Sequence, residues 1–456
     1  MLIFRPSKQP ISRNYDHSQI GMAPININQK DDDQTPNNHQ INNDILINNF
    51  ITIFSSIFLS SIGYGILMVL IALQVEANIK NELLISFSTT SQIISGVIFA
   101  RFLPNVVAKF GAIKSIYIFS TITAILSLLL YQYYSYLVWL LLIFTLGITF
   151  FACGVIRQTI MIDISPVKTR AMVISCGTMV VAVGNSLGPI IFNFLQKLDY
   201  FIIHLIACCF YIASIFPLFR AKIRNFDRNK INSDKKITIF SYIRNSPKIM
   251  LSGFTASYCL SSTNAFLIIY GIKIGLNDSD AAMLLSTLLF GTIFSIPLAY
   301  LADLFNRRLV IIFFAFLSLI TSYNLMLNND FAEMKLSLFL LFGFIAGVKL
   351  PAIVLINEKY KATQRLAVNS AFAKFSLIGN ICGILSTGLA MKLFGPQGLW
   401  LSIITILTLF IIFYILNYYH KIHHQQFSFS WSQILQNQYD KEIEQKLQQD
   451  NNQDQN

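Results

Sequence analysis

The sequence predicts an all-α membrane protein in which twelve transmembrane helices form two pseudo-symmetric six-helix halves. Three observations lead there. Of the 456 residues, 54% are hydrophobic and 12% charged, and the mean hydropathy of +0.57 lies well above that of a water-soluble domain. The apolar residues come in long runs, such as 200–219 and 309–327, and not in the short alternating segments of a β-barrel. The chain also superposes on itself at one fixed offset.

Inside hydrocarbon no water satisfies backbone N–H and C=O groups, so an apolar run of about 20 residues must be helical. The first half holds spans at 50–73, 85–106, 113–134, 137–162, 171–195 and 200–219. The second of these is the most polar, with Ser86, Ser88, Thr89, Thr90, Ser91 and Gln92. The second half holds 249–272, 281–302, 309–327, 336–356, 367–393 and 398–419. The chain thus divides into an N-terminal tail 1–48, a half 49–219, a basic linker 220–248, a half 249–419 and a polar tail 420–456. The Asn- and Gln-rich tails have the composition of disordered segments. No apolar stretch with a small-residue cleavage site follows Met1, so no signal peptide is expected to be removed.

Positive charge fixes the orientation, because Lys and Arg accumulate in cytoplasmic loops. With the N-terminus inside, the inner connections carry nineteen Lys and Arg residues and the outer ones five. Both termini are therefore expected in the cytoplasm; separately, the Asn- and Gln-rich bias has the look of an AT-rich bacterial genome, so the protein is expected in the inner (cytoplasmic) membrane, with a protozoan membrane as the alternative. The net charge of +12 follows from this topology, so no nucleic-acid partner is expected. All six cysteines fall within spans, where they act as small apolar residues.

An offset of 195 residues places Ser91 on Ser286, Gly96 on Gly291, Phe110 on Phe305, Asp163 on Glu358 and Arg170 on Arg365. It also lays Gly184-Asn185-Ser186-Leu187-Gly188 on Gly379-Asn380-Ile381-Cys382-Gly383. Between the halves, 220–248 is basic, and the eighth span ends in Gly291-Thr-Ile-Phe-Ser-Ile-Pro297-Leu-Ala-Tyr-Leu-Ala-Asp303-Leu-Phe-Asn-Arg307-Arg308. In these features the chain resembles the major facilitator superfamily, whose signature loop runs Gly…Asp-Arg…Gly-Arg-Arg. The first-half copy keeps Lys109, Gly111 and Lys114 but has Ala108 where the family places aspartate. The stretch Asp163-Ile-Ser-Pro166-Val-Lys-Thr-Arg170 is similar to the family's acid–Pro–Arg segment, and Gly184-Asn-Ser-Leu-Gly188-Pro189 to its antiporter-associated motif. The resemblance covers about residues 46–420 and implies a transporter working by alternating access, akin to bacterial efflux or metabolite-permease members.

Alternating access requires two gates that open in turn, and interfacial ion pairs break and re-form cheaply. Asp303, Arg307, Arg308, Asp163, Arg170, Glu358 and Arg365 lie at the inner helix ends, where acid–base pairs between halves would latch the outward-facing state. The plainer reading makes them positive-inside anchors with capping acids. Gly184, Gly188, Gly379 and Gly383 permit close helix packing, and Pro189 bends its span.

Charges at depth carry the most information, since a Lys or Arg at a helix centre costs about 2.5–3.5 kcal/mol to insert. Lys349, Lys374 and Arg157 qualify. Lys349 and Lys374 have no acid within a turn and are expected to face a solvated path; Arg157, near the end of its span, is expected to snorkel to the interface. As substrate contacts these cations select an organic anion or a phosphorylated metabolite. Polar stripes complete the candidate site: Tyr64 with Ser56 and Ser60, Gln92 with Ser88 and Ser95, Ser261 and Asn264 with Ser257. The same serines serve equally as interhelical glue.

The expected partners are a small-molecule substrate, the lipid bilayer and a coupling ion, either a proton or a counter-substrate, with the protein a monomer. No cofactor, metal or catalytic group is expected: His420, His423 and His424 follow the last span without a convergent acid or cysteine. Two other readings fit the same residues, a drug-efflux-type antiporter for neutral or cationic solutes and a transporter-shaped sensor that moves nothing.

Overall fold

The computed structural model describes residues 36–132, 135–165, 170–220, 245–294, 297, 304–328, 330–360 and 362–417. The chain divides into two units, residues 1–45 and 46–456, and every apolar span belongs to the second. Most of the linker, residues 221–244, and the C-terminal tail from 418 on lie outside the described residues.

Helices and short 3₁₀ turns make up the secondary structure of the described residues. The first half comprises α1 (Pro36–Asn78, of which Asn48–Asn78 is apolar), α2 (Glu82–Ala100), α3 (Leu103–Phe110), α4 (Ala112–Leu129), α5 (Tyr136–Ile164), α6 (Arg170–Leu195) and α7 (Tyr200–Ala213). The second comprises α8 (Pro247–Lys273), α9 (Asp278–Phe290), α10 (Arg307–Leu327), α11 (Phe331–Lys359), α12 (Ala362–Phe394) and α13 (residues 398–417). Helix thus occupies each expected span, the eighth being described to Phe294 and at 297. The second span is shorter than the sequence suggests. It stops at Ala100, and the short α3 starts with Pro104 in its first turn, because the proline ring would clash with the carbonyl four residues back in a continuous helix. The sixth span likewise ends early, passing into a 3₁₀ turn, Phe216–Arg220, around Pro217.

Side-chain caps set several helix starts. Asn277 accepts from the Asp280 N–H at 2.7 Å, and Asp330 accepts from both the Ala332 and Glu333 N–H groups at 3.1 Å. Each such cap contributes about 0.5–2 kcal/mol by satisfying donors the helix leaves open.

Two close approaches organise the halves. A Cβ on Gly184 would lie 2.6 Å from the Ser61 Cβ, and one on Gly188 would meet the backbone of Gly65 and Ile66, so α6 lies directly against α1. At the repeat-related positions, a Cβ on Gly383 would lie 2.6 Å from the Tyr258 carbonyl and one on Gly379 would meet the Phe254 backbone, so α12 lies against α8. The matching contacts give the sequence repeat a physical meaning: each half is pinned at the same place. Pro189 sits inside α6, one residue beyond Gly188.

Among the described residues nine stretches are long and apolar enough to cross a membrane, the last, Val368–Asn417, covering α12 and α13. Helix α8 is long enough but not among them, being rich in Ser, Thr and Asn. Its polar groups are spent inside the protein. The Tyr258 hydroxyl meets Ser386 on α12 at 2.5 Å and Ser402 on α13 at 2.6 Å, and most of α8 is buried.

Candidate functional site

A cavity of about 690 Å³ lies between the halves. Its walls come from α1, α2, α4, α5, α6 and α7 on one side and from α8, α9 and α12 on the other. Much of the surface is apolar, and Tyr64 stacks on Phe150 with ring centroids 4.0 Å apart.

Arg157 on α5 is the one charged residue in that wall among the described residues. It is 6% exposed. Its Nη1 donates to the Ser60 hydroxyl on α1 at 2.7 Å and its Nη2 to the Ser214 hydroxyl beyond α7 at 3.4 Å. Its Nε is buried without a partner, and no described carboxylate lies within ion-pair distance. The expectation that Arg157 snorkels is therefore corrected: two serines on neighbouring helices hold the guanidinium inward, and the buried cation has no counter-charge from the described residues. Such an arrangement is costly to fold and effective at drawing an anion.

Neutral polar groups lie around it. The Gln92 amide approaches the Tyr64 hydroxyl at 3.5 Å, and the Ser261 hydroxyl donates to the Asn380 carbonyl at 3.0 Å. The Asn185 and Asn264 Oδ1 atoms and the Tyr211 hydroxyl are buried with no hydrogen-bond partner. Asn185, Asn380 and Tyr211 were not among the sequence-derived candidates. The repeat pairs the two asparagines, but their glycine neighbours favour a packing interpretation; for Tyr211 the sequence offers no signal.

Lys349 and Lys374 do not line this cavity, which corrects the expectation for both. Helix α11 packs against α8, α9 and α10, so Lys349 reaches only the flank of α8, where it donates to the Ser257 hydroxyl at 3.2 Å. Lys374 is exposed, three residues before the cavity-lining Leu377 and nearer the start of α12.

The ends of the bundle differ. At the end carrying the acidic starts of α2 and α9, the halves are joined. Lys273 at the end of α8 contacts Glu82 of α2 and lies 3.8 Å from Glu76 of α1. The Tyr200 hydroxyl donates to Asp278 at 2.7 Å, Ser279 to Asn193, and the Ser286 hydroxyl to the Ser186 carbonyl at 2.8 Å. Toward the opposite, basic end, the cavity-lining residues Gly154, Gln158 and Thr178 are exposed, so the cavity opens there. Sequence reasoning looked for gates at the basic end and missed this seal, because Lys273 and Glu82 are 191 residues apart. Lys273→Gln removes the cation that contacts Glu82 and lies 3.8 Å from Glu76. With only about 1.4 kcal/mol of seal lost, an impermeant maleimide added from the sealed side should label a Ser88→Cys reporter on the cavity wall about tenfold faster, in a chain otherwise lacking cysteines. Unchanged labelling would remove Lys273 from the seal.

Of the sequence-predicted gate residues, Arg307 and Glu358 form an ion pair, which joins α10 to α11 within one half. Asp163 and Arg308 are exposed near the basic end. Asp303 lies outside the described residues, as do the side chains of Arg170 and Arg365.

The sequence profile of the Major Facilitator Superfamily matches residues 53–294 and 250–439. Among solved structures, the nucleoside transporter NupG aligns with a TM-score of 0.66 at 14% identity, covering 82% of this chain and 98% of that one. A bacterial homolog of the human lysosomal transporter Spinster, inward-facing and occupied, gives 0.67 at 14% identity, over 80% and 95%. The D-xylose-proton symporter gives 0.58 at 11% identity, over 82% and 97%. No curated protein sequence matches the chain. At these identities the structural likeness is one of fold.

Proposed function

Because the chain belongs to the major facilitator superfamily, we propose that it is a secondary active transporter that moves a small organic anion by alternating access. The observation that carries the substrate class is Arg157, a buried guanidinium in the cavity wall with serine partners and no described carboxylate. A carboxylate or phosphate supplies the missing charge and matches the fork of the guanidinium. Gln92, Tyr64, Ser261 and Asn264, which line the same cavity, contact the remainder of the solute.

The excess of Lys and Arg at the basic end supports placing that end in the cytoplasm. The cavity then faces inward, with Lys273 closing the outer end. In the opposite state Asp303, Arg307, Arg308, Asp163, Arg170, Glu358 and Arg365 come together and latch the inner end, so the Arg307–Glu358 pair exchanges partners as the cycle turns.

The test is uptake into proteoliposomes of radiolabelled carboxylates and phosphate esters, beside neutral sugars, nucleosides and organic cations, with and without an imposed pH gradient. Saturable flux confined to anions is expected. Flux confined to neutral or cationic solutes would replace this reading with an efflux-type antiporter, and absence of flux across the panel would favour a sensor. Dependence on the gradient identifies a proton as the coupling ion; stimulation by internal anion identifies exchange.

A further inference from the structure

We infer that Asn185 and Asn380 grip the uncharged part of the solute from opposite halves, so that the transported anion also carries hydroxyl or N–H groups. This rests on the anion reading above and extends it.

The glycines of the duplicated Gly-Asn-x-x-Gly stretches hold α6 to α1 and α12 to α8, and the asparagines share that contact through their backbone, a Cβ on Gly65 meeting the Asn185 carbonyl and the Asn380 carbonyl accepting from Ser261 at 3.0 Å. A backbone carbonyl is supplied by any residue, so that contact does not call for an asparagine side chain. A residue following a glycine in a helix is turned about 100° away from it, and both asparagines line the cavity. The two are related by the repeat, since 185 and 380 differ by the offset of 195. One asparagine therefore lines the same cavity from each half.

The surroundings point to a ligand. The Asn185 Oδ1 is buried with no partner, and so is the Oδ1 of Asn264 on α8, one turn from Ser261. A buried polar atom left unpaired costs about 1–3 kcal/mol. An amide offers both donors and an acceptor, whichever way it is flipped. A hydroxyl, which donates and accepts, satisfies it; a methylene does not. A site built this way rejects a solute that lacks the matching polar groups, because its own amides then remain unpaired. With an amide on each half, a hydroxylated solute also bridges the two bodies that must move relative to one another.

Matched probes test this on the purified full-length chain, with binding read from the ligand-dependent rise in melting temperature. Gluconate is set against hexanoate, glycerol 3-phosphate against propyl phosphate, and sorbitol serves as the uncharged control. The hydroxylated anion of at least one pair is expected to bind about tenfold tighter than its alkyl partner. That preference should collapse when Asn185→Leu and Asn380→Leu are combined, and shrink in part in Asn185→Ser and Asn380→Ser, which keep the chain folded should the double variant fail. Equal binding within both pairs, or a preference that survives the substitutions, overturns the inference. Sorbitol binding as tightly as gluconate removes the anion reading and leaves the amide grip standing. Binding of none of the five overturns both.

Discussion

Arg157→Gln is expected to lower anion transport about 100-fold while leaving the protein at least as stable as the wild type. The two effects have one origin. The guanidinium is 6% exposed, with two serines and no described carboxylate to offset its charge. Hydrogen bonds to a charged group are worth about 1.5–3 kcal/mol, and loss of the upper figure corresponds to roughly 100-fold in affinity. In the empty protein the same charge is a burden, so glutamine relieves the fold where it damages the site. Arg157→Lys should not restore transport, because an ammonium lacks the planar fork and reaches Ser60 and Ser214 differently. Initial rates in proteoliposomes, paired with melting temperatures of the purified variants, check both statements. Wild-type rates in Arg157→Gln would end the assignment of this residue to substrate.

Gly188→Val is expected to have the other large effect, on folding itself. The added Cβ would occupy the space of the Gly65 backbone, which cannot rotate aside as a side chain can. Overpacking of side chains alone costs about 1–3 kcal/mol, and here helix α1 must retreat from α6 along its length. The variant should fail to appear as a monodisperse species in detergent size-exclusion chromatography. Gly154→Ala is the control: nothing lies within 4 Å of a Cβ there, so it should elute like the wild type. A folded, active Gly188→Val protein would show that the α1–α6 contact is dispensable.

These two residues also mark how far the sequence can be read. The spans were legible because lipid leaves the backbone no alternative to helix, so hydrophobic length alone reveals them. Breaks within spans were not, since the cost of Pro104 or Pro217 competes with the gain from staying apolar, and only the surroundings decide. The glycines at 184, 188, 379 and 383 announced close packing through the repeat. Charges at depth announced the site, but not which of them faces it. A helix apolar on every side at mid-depth carries no stripe to show where a lysine or arginine placed there points. The sequence reading turned Lys349 toward the path and Arg157 toward the interface, and the packing of α11 behind α8 reverses the two. Nor could the seal be foreseen, for Lys273 and Glu82 meet only once the two halves have docked.

Helix α8 carries a last consequence, for biosynthesis. Leaving the translocon sideways gains a nascent segment little when Ser252, Thr255, Ser257, Ser261 and Asn264 must enter hydrocarbon with it. Its companions α12 and α13, which supply Ser386 and Ser402, emerge from the ribosome more than a hundred residues later. The segment must stay near the channel or lean on helices already inserted until they arrive. The second half therefore acquires its final arrangement late and as a group.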